Sequence, residues 1–84
     1  MKRKEAIIRY LGSIGRADRH QIAIYIVASL TTVSTRLTEL NHAGLVHHIK
    51  WPDGNKVWVL TQDGYRRYDY YEQRARTPRG EPAS

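Results

Sequence analysis

The chain begins with apolar residues that recur at a helical period among charged ones. Ile7, Leu11 and Ile14 are spaced by four and three residues, and this spacing predicts a helix over residues 3–14. Gly15 then loosens the end of the segment. We therefore expect a first amphipathic helix whose buried face carries those three side chains.

A second helix is predicted from its N-terminal signal. Asp18 is a favourable N-cap, and Gln21 three residues later completes the pattern of a capping box. The helix would begin at Arg19 and run to about Val27. Its apolar positions, which we expect to be buried, are Ile22, Ala23 and Ile26.

The third helical segment has the most regular pattern in the chain. Ser29 provides its N-cap, and Gly44 stops it at the C′ position, so the helix is predicted over about 30–43. Its apolar positions recur at three, four and three residues: Leu30, Val33, Leu37 and Leu40. The other positions are almost all small and polar: Thr31, Thr32, Ser34, Thr35 and Thr38.

After Gly44 the helical period ends. The β-rich runs "LVHHIKW" and "KVWVL" flank the turn sequence "PDGN", which predicts a hairpin over 46–60. Thr61 then caps a last helix that ends near Arg76. The predicted fold is mainly α with a small β-hairpin (α+β), in the order α-α-α-β-β-α. Residues 1–76 form one domain, and we expect 77–84 to be a flexible tail.

Composition narrows the class of partner. Lys and Arg number 14 against 8 acidic residues, and the resulting net charge of +6 suggests a polyanionic partner, although solubility alone also accounts for such a balance. The chain has no cysteine, so packing must stabilise it without disulfides, and this fits a cytoplasmic protein. The longest apolar run, "IAIYIVA", is too short to cross a membrane.

At this point the chain resembles the winged helix-turn-helix DNA-binding regulators of the MarR, ArsR and PadR kind. The matching residues are "SLTTVSTRLTELNHAGLV", similar to a recognition helix and its stop, then the hairpin, then "LTQDG" at the start of the final helix. The resemblance covers residues 5 to 72 and implies that the third helix reads DNA while the hairpin serves as the wing.

An α-helix fits the major groove of B-DNA, which is about 12 Å wide, provided that its outer side chains are short. Threonine is short, forms hydrogen bonds, and offers a methyl group to thymine. On the third helix the candidates for base or backbone contact are Ser29, Thr31, Thr32, Thr35, Arg36 and Thr38. Arg36 could reach a guanine or a phosphate, and a solvated threonine face is the alternative for the rest.

Further contacts are predicted beside this helix. Lys50 and Lys56 flank the hairpin turn on opposite strands, so the tip can straddle a DNA backbone or enter the minor groove. Trp51 at the tip either lies along the sugar–phosphate edge or forms a lid over the hairpin, whereas Trp58 is assigned to the core. Arg19 adds a backbone contact, and so do the other cations near the helix starts: Lys2, Arg3, Lys4 and Arg16.

Nothing in the pattern indicates catalysis, a metal or a cofactor. His47 and His48 are adjacent in a strand and point to opposite faces, so they cannot share a metal ion. The sequence has neither a glycine-rich phosphate loop nor a nucleophile–base motif. A chain this short also leaves little room for a small-molecule effector, except at a seam between two copies.

The tyrosines of the last helix predict an interface. Tyr65, Tyr68 and Tyr71 can form a stripe that one small domain cannot easily bury, and aromatic residues are frequent at interfaces. We therefore expect a homodimer with recognition helices about 34–36 Å apart on a palindromic site. The alternative is that some of these rings pack on the core of their own chain.

Together these patterns predict a sequence-specific regulator that binds double-stranded DNA and acts as a repressor. Two alternatives stay open: a winged helix that works as a protein–protein adaptor, and an RNA-binding or replication-associated winged helix with little sequence preference. Strong salt dependence and discrimination between sequences would separate the three.

Overall fold

A computed structural model describes residues 2–76. The predicted tail, 77–84, lies outside the described residues. The element order is the predicted one, with four helices and one hairpin: α1 (Arg3–Ile14), α2 (Arg19–Ile26), α3 (Leu30–His42), β1 (Val46–Lys50), β2 (Lys56–Leu60) and α4 (Gln62–Arg76).

Local capping signals fix where three of the helices begin. Asp18 accepts the Gln21 N–H at 2.8 Å and the Gln21 side chain returns to the Asp18 N–H, so the predicted capping box is present. Ser29 accepts the Thr32 N–H at the start of α3, and Thr61 holds the start of α4. These side chains satisfy amide groups that have no partner inside the helix.

The core lies where α1, α2, α3 and the base of the hairpin meet. Its buried apolar residues are Ile7, Ile8, Leu11, Ala17, Ile22, Ala23, Val33, Leu37, Leu40, Val46 and Leu60. Two expectations were wrong: Ile14 is 47% exposed, and Leu30 is 39% exposed. Both residues sit at the end of a helix, where the neighbouring helices no longer cover the apolar face. Ile8 is buried in addition to the predicted stripe.

The hairpin pairs in an antiparallel register that places Lys50 opposite Lys56 and His48 opposite Trp58. Ala17 extends this pairing, because its N–H and C=O both bond to the backbone of Trp58. The short segment between α1 and α2 therefore anchors the wing to the helices.

Val27 ends α2 in an unfavourable conformation. It has φ 56° and ψ 59°, in the left-handed region, and its side chain is 86% exposed. A left-handed conformation costs an L-residue about 1–2 kcal/mol, and a β-branched side chain makes it worse. The segment that joins α2 to α3 is therefore strained at a position where glycine would be relaxed.

We expect Val27→Gly to raise the free energy of unfolding by about 0.5–1 kcal/mol, because the relief of strain exceeds the extra entropy of glycine in the unfolded chain. Thermal unfolding followed by circular dichroism would show a midpoint several degrees higher. Val27→Ala keeps most of the strain and should give a smaller gain. A destabilised glycine variant would contradict the strain.

Candidate nucleic-acid interface

The side chains on the outer face of α3 are short, polar and uncharged. Thr31, Thr35 and Thr38 are exposed along it. The hydroxyl of Thr35 donates to the Thr31 carbonyl at 3.0 Å, and that of Thr38 donates to the Ser34 carbonyl at 2.9 Å. The hydroxyl protons of Thr35 and Thr38 are therefore used within the helix, and their side chains present oxygen lone pairs and methyl groups.

The start of α3 is also occupied by its own side chains. The Ser29 hydroxyl accepts the Thr32 N–H at 3.1 Å and donates to the Thr32 hydroxyl at 3.0 Å. Thr32 is consequently half-buried beside its cap rather than on the outer face. Of the two residues, Ser29 is the more exposed.

Arg36 lies on the flank of α3 that faces α1. Its guanidinium donates to Glu39 at 2.8 Å, and Lys4 reaches the same carboxylate at 3.4 Å. The hydrogen bond from Arg36, aided by Lys4, lowers the pKa of the Glu39 carboxyl. Arg36 also lines a cleft of about 670 Å³ together with Lys2, Arg3, Lys4 and Ile26. Cations of two helices thus gather on this flank.

The opposite flank of α3 faces the wing across a larger cleft of about 820 Å³. Ser34, Leu37, Thr38 and Asn41 line its α3 side. Its other walls come from the start of α2 and from the hairpin: Asp18, Arg19, His20, His48, Gly54, Asn55, Lys56 and Trp58. The fold therefore brings Arg19, Lys56 and Thr38 to one concave surface, although they are far apart in sequence.

The wing carries an unfavourable pair of charges. Lys50 and Lys56 occupy directly opposite positions on the two strands, an arrangement in which like charges destabilise a sheet. Among residues 2–76, neither ammonium group forms an ion pair with an acidic side chain. The repulsion between the two ammonium groups is therefore not offset by a carboxylate in that part of the chain.

The two tryptophans have separate surroundings. Trp58 packs against the core and meets His48 edge-on, with ring centroids 5.2 Å apart. Trp51 is 38% exposed at the tip, and the Arg16 guanidinium lies 4.6 Å from its ring centroid. Arg16 and Trp51 therefore hold each other in place beside the turn.

The tyrosines of α4 divide between the core and the surface. Tyr68 and Tyr71 are partly buried and pack against the core of their own chain, the alternative that the sequence left open. Tyr65 is 42% exposed. Gly12 of α1 makes room for Tyr68, since a Cβ there would collide with the ring. The predicted dimer stays a prediction, with Tyr65 as its most accessible ring of the three.

Sequence reasoning missed some residues that share the wing-side cleft. Ser34 and Asn41 were not assigned to the site, and neither was His48. The spacing of Ser34, Thr38 and Asn41 by four and three residues places them on one side of α3, and strand alternation places His48 on the face of Lys50. Both signals were present in the sequence.

The described residues also bear on two other classes of function, metal binding and membrane insertion. Within residues 2–76, no three His, Asp or Glu side chains lie close enough together to hold a metal ion. No helix in that part of the chain is long and apolar enough to cross a membrane.

The same arrangement of helices and hairpin occurs in solved structures. NadR in complex with 4-hydroxyphenylacetate superimposes with a TM-score of 0.82 at 25% identity, over 87% of this chain and 53% of NadR. The chain has the winged helix-turn-helix fold. MepR, a transcription regulator of the Staphylococcus aureus multidrug efflux pump MepA, gives 0.82 at 19% identity, over 87% and 56%. Lactococcus lactis ZitR gives 0.81 at 19%, over 87% and 56%.

These neighbours are transcriptional regulators of the MarR family. The winged helix described here spans little more than half the length of each of them. No protein-family model and no curated protein matches the chain. By position in this fold, α2 and α3 are the two helices of the helix-turn-helix and β1–β2 is the wing.

Proposed function

We propose that this winged helix is a sequence-specific regulator that binds double-stranded DNA and represses by occupying its operator. The observation that carries the proposal is the outer face of α3. Its side chains are short, polar and uncharged, and cations flank the face on both sides. Uncharged short side chains suit base edges, while cations suit the phosphates on either side of a groove.

The threonine chemistry favours A·T pairs. Because the Thr35 and Thr38 hydroxyls donate to their own helix, they meet DNA as hydrogen-bond acceptors with adjacent methyl groups. In the major groove an A·T pair offers an amino donor on adenine and a methyl group on thymine. An acceptor and a methyl group on one side chain match both features.

The flanking cations take the backbone role. Arg19 and Lys56 border the wing-side cleft, while Arg36 lies beside the start of α1 and is tied to Glu39. We assign Arg36 to a phosphate rather than to a base, because Glu39 holds it on the flank of α3. Lys50 and Trp51 extend the contacts to the tip of the wing.

The proposal includes a homodimer and no small-molecule effector. Tyr65 is exposed, and the rings of Tyr68 and Tyr71 support α4 from beneath, so two copies can meet along the Tyr65 side of the helix. Two-fold symmetry would then repeat the half-site about one DNA turn away.

Selection of bound fragments from random duplex DNA tests the proposal. We expect a two-fold symmetric motif with A·T pairs at the positions read by α3, and affinity that falls steeply with salt. In the double variant Thr35→Ala and Thr38→Ala, those A·T positions should lose their preference while the flanks of the motif persist.

Ser13→Ala provides the matched control, because its hydroxyl also donates to its own helix but lies on α1, away from the interface. This variant should select the unchanged motif. Enrichment of no motif by the unmodified chain would reject the proposal, and retention of a protein partner at moderate salt would then favour the adaptor. Equal binding to all duplexes or to RNA would favour the RNA-binding or replication-associated winged helix.

A further inference from the structure

The described part of the chain holds cations without an acidic partner in three places: beside the wing, at the start of α1, and on α4. The first two places border the interface described above. The third, Arg67 and Arg74, lies on a helix that the proposed function uses for dimerisation alone. Neither guanidinium forms an ion pair within residues 2–76.

Arg67 and Arg74 belong to a strip with aromatic residues between them. Arg67, Tyr70, Tyr71 and Arg74 are spaced by three, one and three residues, so they share one side of α4. We call these four residues the α4 strip. The Arg74 guanidinium lies 5.6 Å from the Tyr70 ring centroid, within the range of a cation–π contact. Tyr70 is 54% exposed.

The α4 strip faces a cleft that it shares with the start of α1. This cleft, of about 660 Å³, is lined by Lys2, Glu5, Arg67, Tyr70, Tyr71 and Arg74. Lys2 also lines the cleft that contains Arg36. The positive surface is therefore continuous from the flank of α3, around the start of α1, to the α4 strip.

Charge decides what kind of partner fits this strip. Glu5 is the one acidic residue in the lining, against Lys2, Arg67 and Arg74. A second copy docked here by two-fold symmetry would bring like charges together, which disfavours an interface between copies. Guanidinium groups bind phosphate oxygens well, and the exposed Tyr70 ring can lie against sugars. A phosphate backbone therefore fits the α4 strip better than a second copy of the chain does.

The dimer proposed above does not need this side of the helix. At 100° per residue, Tyr65 and Arg67 lie about 160° apart around α4. The Tyr65 side is therefore free for the dimer while the α4 strip faces elsewhere.

We propose that the α4 strip is a second DNA contact, which binds the phosphate backbone of the duplex that flanks the site read by α3. This inference rests on the proposed function. It predicts a footprint longer than the recognition helix and wing require, because the positive surface continues past them around the start of α1.

The test compares two duplexes that share the selected core, one trimmed to that core and one with about 10 further base pairs on each side, roughly 34 Å each. The unmodified chain should bind the longer duplex more tightly. The double variant Arg67→Ala and Arg74→Ala should lose this gain and bind the trimmed core as the unmodified chain does. On the longer duplex its salt slope should fall by about 2 for each bound protomer. The loss of affinity relative to the unmodified chain should therefore be about tenfold larger per protomer at 50 mM than at 200 mM salt.

Arg66→Ala is the matched control, since Arg66 is on the same helix but pairs with Asp63 at 3.3 Å. It should keep the gain. No gain from flanking DNA in the unmodified chain, a gain that survives in the double variant, or an equal loss in Arg66→Ala would each overturn the inference. Loss of the dimer in the double variant would also overturn the inference, because it would show that the α4 strip is an interface between two copies. Failure to bind the trimmed core would reject the proposed function instead.

Discussion

Gly64→Ala should destabilise the protein by about 3 kcal/mol or more, at the upper end of what overpacking costs. Gly64 is buried in the first turn of α4, where a Cβ would collide with the carbonyl oxygen of Leu45 and lie 3.1 Å from the Cβ of Leu60. The Leu45 carbonyl cannot retreat easily, because it accepts the Thr61 N–H at 3.0 Å.

Thr61 makes this junction rigid from the other side as well. Its hydroxyl donates to the Gly44 carbonyl at 2.6 Å and accepts the Gly64 N–H at 3.0 Å. A shift of α4 away from Leu45 would break these bonds together. Since a domain of this size has a total stability of roughly 4–13 kcal/mol, the substitution removes a large part of it.

Urea unfolding followed by circular dichroism would measure the loss. Gly12→Ala is the natural comparison, because it is the same substitution inside a helix but its obstacle is the ring of Tyr68. A half-buried side chain can move where a hydrogen-bonded backbone cannot, so Gly12→Ala should cost less. Equal losses, or a stable Gly64→Ala protein, would show that the start of α4 is looser than its contacts imply.

The sequence could predict the element boundaries because the signals that set them are local. Asp18 with Gln21, and Ser29 with Thr32, act within a single helical turn. Gly44 has φ 78°, a conformation that glycine adopts without strain at the end of a helix. Each of these interactions is complete within a few residues of chain, so no knowledge of the tertiary structure was needed.

Burial was harder to predict, because it depends on how the helices cross. Ile26 was expected to be buried with Ile22 and Ala23, but it is only partly buried and lines the cleft beside Arg36. An isoleucine carries no information about which neighbouring helix covers it. The same limit applies to Ile14 and Leu30, where the spacing was right but the covering element ends too early.

The placement of the site residues depended on contacts distant in sequence. The Arg36–Glu39 pair is local to α3, but Glu39 also meets Lys4 of α1, which is distant in sequence. The α1–α4 pair is fixed by Arg9 and Glu72, which are 63 positions apart. The pattern of a single sequence predicts which residues a helix exposes, but not which residue forms an ion pair with each charged side chain.

Replacing both wing lysines should have opposite effects on DNA binding and on folding. Lys50→Ala with Lys56→Ala removes two ammonium groups from directly opposite positions on the wing, where Lys56 lines the wing-side cleft. For each bound protomer, we expect the affinity for the selected duplex to fall about 10- to 100-fold at low salt and the salt slope to become smaller by about 2. The free protein should become more stable by a few tenths of a kcal/mol, because like charges no longer face each other.

Fluorescence anisotropy across a salt series would measure the first effect, and thermal unfolding without DNA the second. The variant with arginine at both positions keeps both charges and should keep the salt slope. A lysine pair that served folding alone would shift the unfolding midpoint and leave the salt slope unchanged. If the two lysines serve to bind the DNA backbone, the variant should lose affinity for DNA and gain stability as the free protein. The repulsion between the lysines would then destabilise the free state, while the phosphates of bound DNA would relieve it.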